Sequence, residues 1–540
     1  MRQIETQVLV IGGGATGTGI IRDLAMRGLD AILVEKRDLA HGTTGRYHGL
    51  LHSGGRYAVK DPQTAAECIH ENQILRRIMP HCIEDTGGFS VTTPWDNPDY
   101  GDEFVAGCEQ AHIPVEEISI GQMLRQEPFL NPKISRCFQV PDGTADSFLA
   151  ARANVESARQ HGAQVWTYHQ VINLLKQGDR IVGARCHDLV NDEQVTVHAQ
   201  MVVNAAGAWA GLIAATAGLQ VPVLCGKGTM VAMHHRLLGT VVNRCRPSAD
   251  VDVIVPTHTV VVIGTTDEKV DDPERFAVEP WEIRLMLEEG DRLVPGIKDM
   301  RVLRVWAGVR PLYEASPAET TSDRDVGRSH MLLDHESRDG IPGMVTMIGG
   351  KWTTYRLMAQ ETVDRVCAKL GCDRVCRTHL ETVSGAEEAH THRLAAPLAR
   401  VEDEATYSQL VCECELATRE QIERAIVEGE ARTIDDIRRA ARLGMGTCQG
   451  GFCTYRAVGL WHQLRRPPVA ETNVALRDFL QERWKGLLPA LAGQQMRQER
   501  FNEMIYLDLL NADHLVGEQA SRLGCVMYET EPTPGEVHED

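Results

Sequence analysis

The chain has 540 residues, with 56 lysines and arginines against 75 aspartates and glutamates, a net charge of -19, and 15 cysteines. Single hydrophobic cores stop growing at about 250–300 residues, so this length requires more than one domain. The acidic balance is not broken by a basic block, which excludes nucleic acid or an anionic lipid surface as the main partner. Any anionic substrate must therefore meet a local cluster of cations. The opening MRQIETQVLVIGGG has none of the marks of a secretory signal. No window reaches the ~18 uninterrupted apolar residues of a spanning helix. A cytoplasmic chain is expected, touching a membrane only peripherally, with its cysteines kept as thiols or metal ligands rather than disulfides.

Gln7 to Ile11 is a short apolar strand, Gly12, Gly14 and Gly17 punctuate the turn after it, and Gly19 to Arg27 reads as a helix closed by Gly28. A second strand, Ala31 to Val34, ends at Glu35. This is the βαβ start of a dinucleotide-binding fold. The glycines allow the pyrophosphate to approach a helix N-terminus, and the carboxylate is placed to hold ribose hydroxyls. A polar, glycine-rich stretch follows, with Thr43, Thr44 and Arg46 and then His52, Arg56 and Tyr57. It is too polar for core and too irregular for a strand.

Strand-like runs around 181–185 and 194–199, joined by an Asn191-Asp192 turn, precede an apolar strand at 202–204 that stops in the small residues Ala205, Ala206 and Gly207. Such a meander before a returning strand is the layout of FAD-binding domains of the glutathione-reductase type. Met344 to Ile348 is a further strand, ending at Gly349-Gly350, with Lys351 and a helix starting near Thr353. The dipole of that helix can stabilise charge on a reduced flavin. Strands at 251–255 and 260–263 and a helix at 280–293 suggest a substrate region on a mixed sheet. Residues 386–407 read as a linker.

Near the C-terminus Cys412 and Cys414 pair with Cys448 and Cys453 across a long gap. Thr418 with Gln421 makes a capping box, and Thr433 caps a second helix ended by Gly444, so two short helices bring the cysteines together. Gly446, Gly450 and Gly451 leave backbone N–H groups free to reach sulfur. The set reads as a [2Fe-2S] site, with structural zinc as the rival because it also takes four thiolates. A flavin site and a one-electron carrier in one chain indicate a redox enzyme.

Together these segments resemble the FAD-dependent glycerol-3-phosphate dehydrogenases, and the added cysteine module resembles the catalytic subunits of that family's anaerobic complexes. The resemblance rests on VIGGGATGTGI from Val10, HSGGRYAV from His52, IGTTD from Ile263, GVRPL from Gly308, GGKWTTYRLMA from Gly349, CECE from Cys412 and GMGTCQGGFC from Gly444. FLQERWKG from Phe479 belongs to it too, with no function attached. It implies an α/β fold with a glutathione-reductase-type FAD-binding Rossmann domain and an inserted, DAO-like substrate domain. These would occupy residues 1–385, with the substrate part at roughly 215–335. A small helical, bacterioferritin-associated-ferredoxin-like [2Fe-2S] domain at 408–465 and a helical region at 466–540 would follow.

The implied reaction is oxidation of sn-glycerol 3-phosphate, with electrons passing from FAD through the cluster toward quinone. The implied partners are the family's B and membrane-anchoring iron-sulfur C subunits, which would hold the chain at the inner face of the cytoplasmic membrane, with room for FMN in the complex. The implied phosphate-binding residues are Arg310 and Arg328, whose guanidinium forks suit a phosphate dianion, with Arg56, Tyr57 and Lys351 completing the substrate pocket. His52 is the candidate base, and Lys351 faces the developing alkoxide or reduced flavin. Thr265 and Thr266 are strand-end residues of less certain role. The alternative is a flavin-dependent amine or 2-hydroxy acid dehydrogenase, whose carboxylate would take the place of the phosphate.

Overall fold

The computed structural model describes residues 2–313, 329–387, 395–403, 409–429 and 431–509. An eight-stranded sheet grows from the strand Arg2–Ile11, which runs parallel to Ala31–Val34 on one side and to Glu193–Asn204 on the other. Helix Ala15–Met26 follows the glycine turn, and Gly28 leaves it with φ +67. The two stretches expected as separate strands before Ala205 are one strand, Glu193–Asn204. Its first half pairs with Arg180–Asp188 through the expected turn, where Asp192 has φ 58. Its last three residues instead pair in parallel with Met344–Gly349 on the same edge. The C-terminal ends of four parallel strands therefore emerge side by side, the place where open α/β sheets bind ligands.

Alternation fixes which side chains each face buries. Val8, Val10 and Leu33 pack against Ile20, Ile21 and Leu24 of the first helix and Val363 and Val366 of helix Tyr355–Leu370. Leu9, Ile11 and Ile32 face Leu174, Ala184 and Val197 of the meander.

A nine-stranded second sheet contains Val223–Met233, Val253–Thr257, Val260–Gly264 and Val302–Tyr313, covered by helix Pro280–Leu293. It also takes Gly88–Thr92, Glu116–Ile118 and Arg136–Val140, so it reaches well outside the 215–335 region expected for it. Those strands are short, and Gly88–Thr92 is buried on both faces, so no alternation marks it. Within the expected linker, Ala395–Asp403 is a helix.

The cysteine module has strands Leu410–Cys412 and Ala417–Thr418 and helices Arg419–Val427, Ile434–Ala441 and Cys453–Arg465. Both expected caps are present, at Thr418 and Thr433. The second helix ends not at Gly444 but at Arg442, which takes the left-handed position (φ 56) that glycine usually fills. Ion pairs to Glu415 (2.8 Å) and Asp146 (3.1 Å) hold it there. Helix Val469–Trp484, expected in a separate C-terminal region, sends Leu476, Phe479 and Leu480 into the module's own core beside Tyr506.

A buried charge cluster joins the module to the first sheet. Arg439 meets Asp38 at 3.0 Å and also pairs with Asp435 and Asp436, while Tyr168 donates to Asp436 at 2.5 Å. Removing the cation leaves Asp436 with no cationic partner among the described residues and Asp38 and Asp435 with only Arg152 and Arg438, in a largely buried site. Arg439→Ala is expected to cost about 3–5 kcal/mol. It should appear as a lower Tm and faster limited proteolysis of the purified chain; a variant indistinguishable from wild type in both assays would show that this cluster does not hold the module.

Candidate active site and redox centre

The parallel strand ends open into a cleft of about 720 Å³, lined among others by Gly12, Gly14, Glu35, Thr43, Thr44, Ala206, Gly207, Gly350 and Lys351. Helix Ala15–Met26 reaches it with no side-chain bond at its N-cap, Gly14, and no acid in its first turn. Its positive end is left to an anion. A Cβ on Gly12 would lie 2.5 Å from the Ala205 carbonyl oxygen, and one on Gly14 3.0 Å from Thr44 Oγ1. Thr44 Oγ1 accepts from Ala15 N at 2.9 Å, and Thr43 donates to Val309 O at 2.6 Å, so these two threonines pin the polar loop over the cleft.

Glu35 accepts from the N–H groups of Gly13 (2.7 Å) and Arg37 (2.9 Å), and burial pushes its carboxyl pKa up. Those bonds fix it at the cleft wall, where its remaining lone pairs suit ribose hydroxyls. His41 is kept neutral by burial and by the nearby Arg439 and Arg46 guanidinium groups. Arg46 approaches its Nε2 at 3.4 Å, which places the ring proton on Nδ1. Nδ1 of His41 and Nε1 of Trp209 have no partner among the described residues, and both residues line the cleft. Buried orphan donors, a glycine cradle and a helix N-terminus with no acid in its first turn fit a dinucleotide such as FAD.

His48, Leu50, His52, Tyr57 and Arg310 line both this cleft and a small polar chamber of about 40 Å³. Arg56, Asp250, Thr265, Thr266 and Asp267 complete the chamber. Arg310 Nη2 lies 3.0 Å from Asp267 and donates to the Thr266 carbonyl at 2.7 Å. Arg56 pairs with Asp252 at 2.9 Å. The Lys351 ammonium stands 4.5 Å from the centre of the Tyr57 ring. His52 is held by its backbone, its N–H donating to Thr353 Oγ1 and its carbonyl accepting from Asn72, both at 3.0 Å.

Two expected cofactor residues stand behind the wall rather than in it. Thr353 is fully buried and orients His52. Gly17 is needed for packing, since a Cβ there would lie 1.9 Å from Gly12 O. Arg328 lies outside the described residues. His41, His48, Trp209 and Asp267 were not singled out from sequence; the two histidines flank residues 43–46, and Asp267 closes the IGTTD segment.

The four module cysteines influence one another's ionisation as two pairs, Cys412 with Cys453 and Cys414 with Cys448, and Cys414 Sγ lies 3.5 Å from Thr447 Oγ1. The Cys412 thiol is drawn down to about 7 by Cys453 and by the N–H groups of Gly444 and Glu415. Cys448 is drawn down to about 6 by Cys414 and by the N–H groups of Gly450 and Gly451. Among the described residues no three His, Cys, Asp or Glu side chains are grouped for a single metal ion. Two thiol pairs surrounded by N–H donors suit a dinuclear iron-sulfur centre, with one pair per iron.

Residues 7–356 match the family described as DAO, FAD dependent oxidoreductase, and residues 410–460 match the BFD-like [2Fe-2S] binding domain. The A1 subunit of the anaerobic glycerol-3-phosphate dehydrogenase of Haloferax volcanii is 44% identical over 536 residues, covering 94% of this chain and 91% of the relative. The A subunit of the enzyme of the same name from Escherichia coli K12 is 41% identical over 528 residues, covering 94% and 97%. Among solved structures, the FAD-complexed glycerol-3-phosphate dehydrogenase of Bacillus halodurans aligns with a TM-score of 0.57 at 22% identity, covering 94% of each chain. Glycine oxidase of Geobacillus kaustophilus aligns at 0.54 and 22%, covering 67% of this chain and 95% of that one. At such identities the two structures establish the fold alone.

The separation of the two cofactor sites generates a direct test. Cys453→Ser is expected to lose the [2Fe-2S] EPR signal while keeping the wild-type FAD content; retention of the full signal would remove Cys453 from the ligand set.

Proposed function

The chain belongs to the family of anaerobic glycerol-3-phosphate dehydrogenase A subunits within the FAD dependent oxidoreductases, and on that premise we propose that it oxidises sn-glycerol 3-phosphate to dihydroxyacetone phosphate. The observation that carries the reading is the small polar chamber that holds Arg56 and shares His52, Tyr57 and Arg310 with the dinucleotide cleft. It sets the Arg56 and Arg310 guanidinium groups, each paired with an aspartate, in a recess beside the dinucleotide cleft.

When bound, FAD supplies a hydride acceptor and the [2Fe-2S] cluster a one-electron relay. Arg310 and Arg56 hold the substrate phosphate, and their own carboxylates, Asp267 and Asp252, fix the forks in orientation. His52, clamped at both backbone groups, takes the C2 hydroxyl proton as the C2 hydrogen leaves with its electron pair and the carbonyl forms. Lys351 stabilises the negative charge that develops on the C2 oxygen. Electrons then leave toward a quinone through partner subunits, which hold the chain at the inner face of the membrane. This reading is supported by the relatives' designation as one subunit of an anaerobic enzyme. It is also consistent with the finding that no helix among the described residues is long and apolar enough to cross a membrane.

Anaerobic addition of sn-glycerol 3-phosphate to the purified chain should bleach the flavin, whereas proline, sarcosine and 2-hydroxyglutarate should not; bleaching by one of those three alone would replace the assignment. Loss of a charge-assisted hydrogen bond costs about 1.5–3 kcal/mol. Arg310→Ala should therefore raise KM for glycerol 3-phosphate about 10–100-fold at unchanged FAD content, and an unchanged KM would end the phosphate role of Arg310. His52→Ala should lower kcat about 10²–10⁴-fold. Near-full turnover would remove His52 from the chemistry.

A further inference from the structure

Helix Val469–Trp484 carries most of FLQERWKG, a segment for which neither the sequence nor the proposed reaction supplies a role. Its Arg483 is only 4% exposed. The guanidinium Nη1 donates to the carbonyl of Cys448 at 3.0 Å. Among the described residues no carboxylate lies within ion-pair distance, and the adjacent Glu482 is engaged by Lys485 at 3.1 Å and Arg304 at 3.9 Å. The contrast with other deeply buried arginines is clear. Arg244, Arg356 and Arg439 each have carboxylate partners. Arg22 lacks a salt bridge but has three acceptors, Ser157 Oγ and the carbonyls of Thr378 and Glu381. Among the described residues Arg483 has one neutral carbonyl. A buried cation with so little compensation is costly unless a negative charge stands nearby.

A second guanidinium reaches the same loop from another part of the chain. Arg301 donates from Nη1 to the carbonyl of Thr447 at 3.0 Å, and the acid nearest to it, Glu499, is 3.9 Å away. The loop is also gripped by Tyr506, whose hydroxyl donates to the Gly450 carbonyl at 3.0 Å. Thr447 and Cys448 are thus held by two cations from outside the short cysteine module, beside the two thiol pairs.

We propose that the missing counter-ion of Arg483 is the iron-sulfur cluster itself, and that Arg483, seconded by Arg301, raises the cluster's reduction potential. A cluster bound by four thiolates carries net negative charge, and reduction adds one electron more. A fixed cation beside it stabilises the reduced form more than the oxidised form. The C-terminal helix is in this way part of the redox centre. The inference rests on the cysteines holding a [2Fe-2S] cluster, a reading decided in the wild-type chain by iron and sulfide content and EPR.

With that established, EPR-monitored redox titration of the full-length holoenzyme tests the role of Arg483, the flavin couple serving as internal reference. Arg483→Gln should make cluster reduction at least tenfold less favourable, a fall of about 59 mV for a one-electron couple. Arg483→Lys should stay within threefold of wild type, and the flavin couple should not move. Loss of the cluster in Arg483→Gln with retention in Arg483→Lys would equally support a charge role. An unchanged potential in a cluster-replete Arg483→Gln variant would overturn the proposal, and so would loss of the cluster in both variants, which would make Arg483 a packing residue.

Discussion

The structure depends on how closely backbones approach where the parallel strands end. The turn at Gly12 lies against the Ala205 carbonyl, and the first helix presses on the Gly12 carbonyl through Gly17, at separations where no side chain fits. This contact brings the ends of Arg2–Ile11 and Glu193–Asn204 together, and the last residues of the latter strand bring Met344–Gly349 to the same edge. The cleft floor, the helix terminus aimed into it and the Gly350-Lys351 corner are consequences of one packing constraint. Because the long strand gives half its free edge to the meander and half to Met344–Gly349, residues some 150 apart in sequence share one wall.

Charge is handled in a second, consistent way. The few lysines and arginines that are buried among the described residues are mostly paired with acids. Lys227 with Glu282, Arg356 with Glu71 and Arg439 with three aspartates are all deeply buried. Such pairs are not an efficient source of stability, since desolvation offsets most of the attraction. They do fix geometry. Glu282 also accepts from Thr266, whose carbonyl receives Arg310, so a buried pair outside the cleft bears on the orientation of the Arg310 guanidinium.

Much of this was legible in the sequence wherever the physical demand was local. The glycine turn, the strand Ala31–Val34, the helix Pro280–Leu293 and the two capped helices of the cysteine module follow from steric or capping requirements within a few residues. What escaped depends on partners distant in the chain. Gly88–Thr92 joins a sheet whose other strands mostly lie beyond residue 220, and its two-sided burial removes the alternation that would have marked it. Trp209 and Asp267 reach the site through the fold alone. Thr353 looked like a cofactor contact because it begins a helix beside the glycines, whereas its hydroxyl serves the backbone of His52.

The helix Val469–Trp484 has a consequence for how the chain matures. The core that encloses the cysteines is closed by Leu476, Phe479, Leu480 and Tyr506, all of which follow the last cysteine ligand in sequence. During synthesis the four thiols emerge before the side chains that bury their surroundings. Until roughly residue 506 has left the ribosome, the module presents an open apolar face and an ungripped ligand loop. The surroundings of the cysteines are therefore completed last, by the part of the chain that follows them. A chain ending near residue 465 would retain every ligand yet remain in that unfinished state.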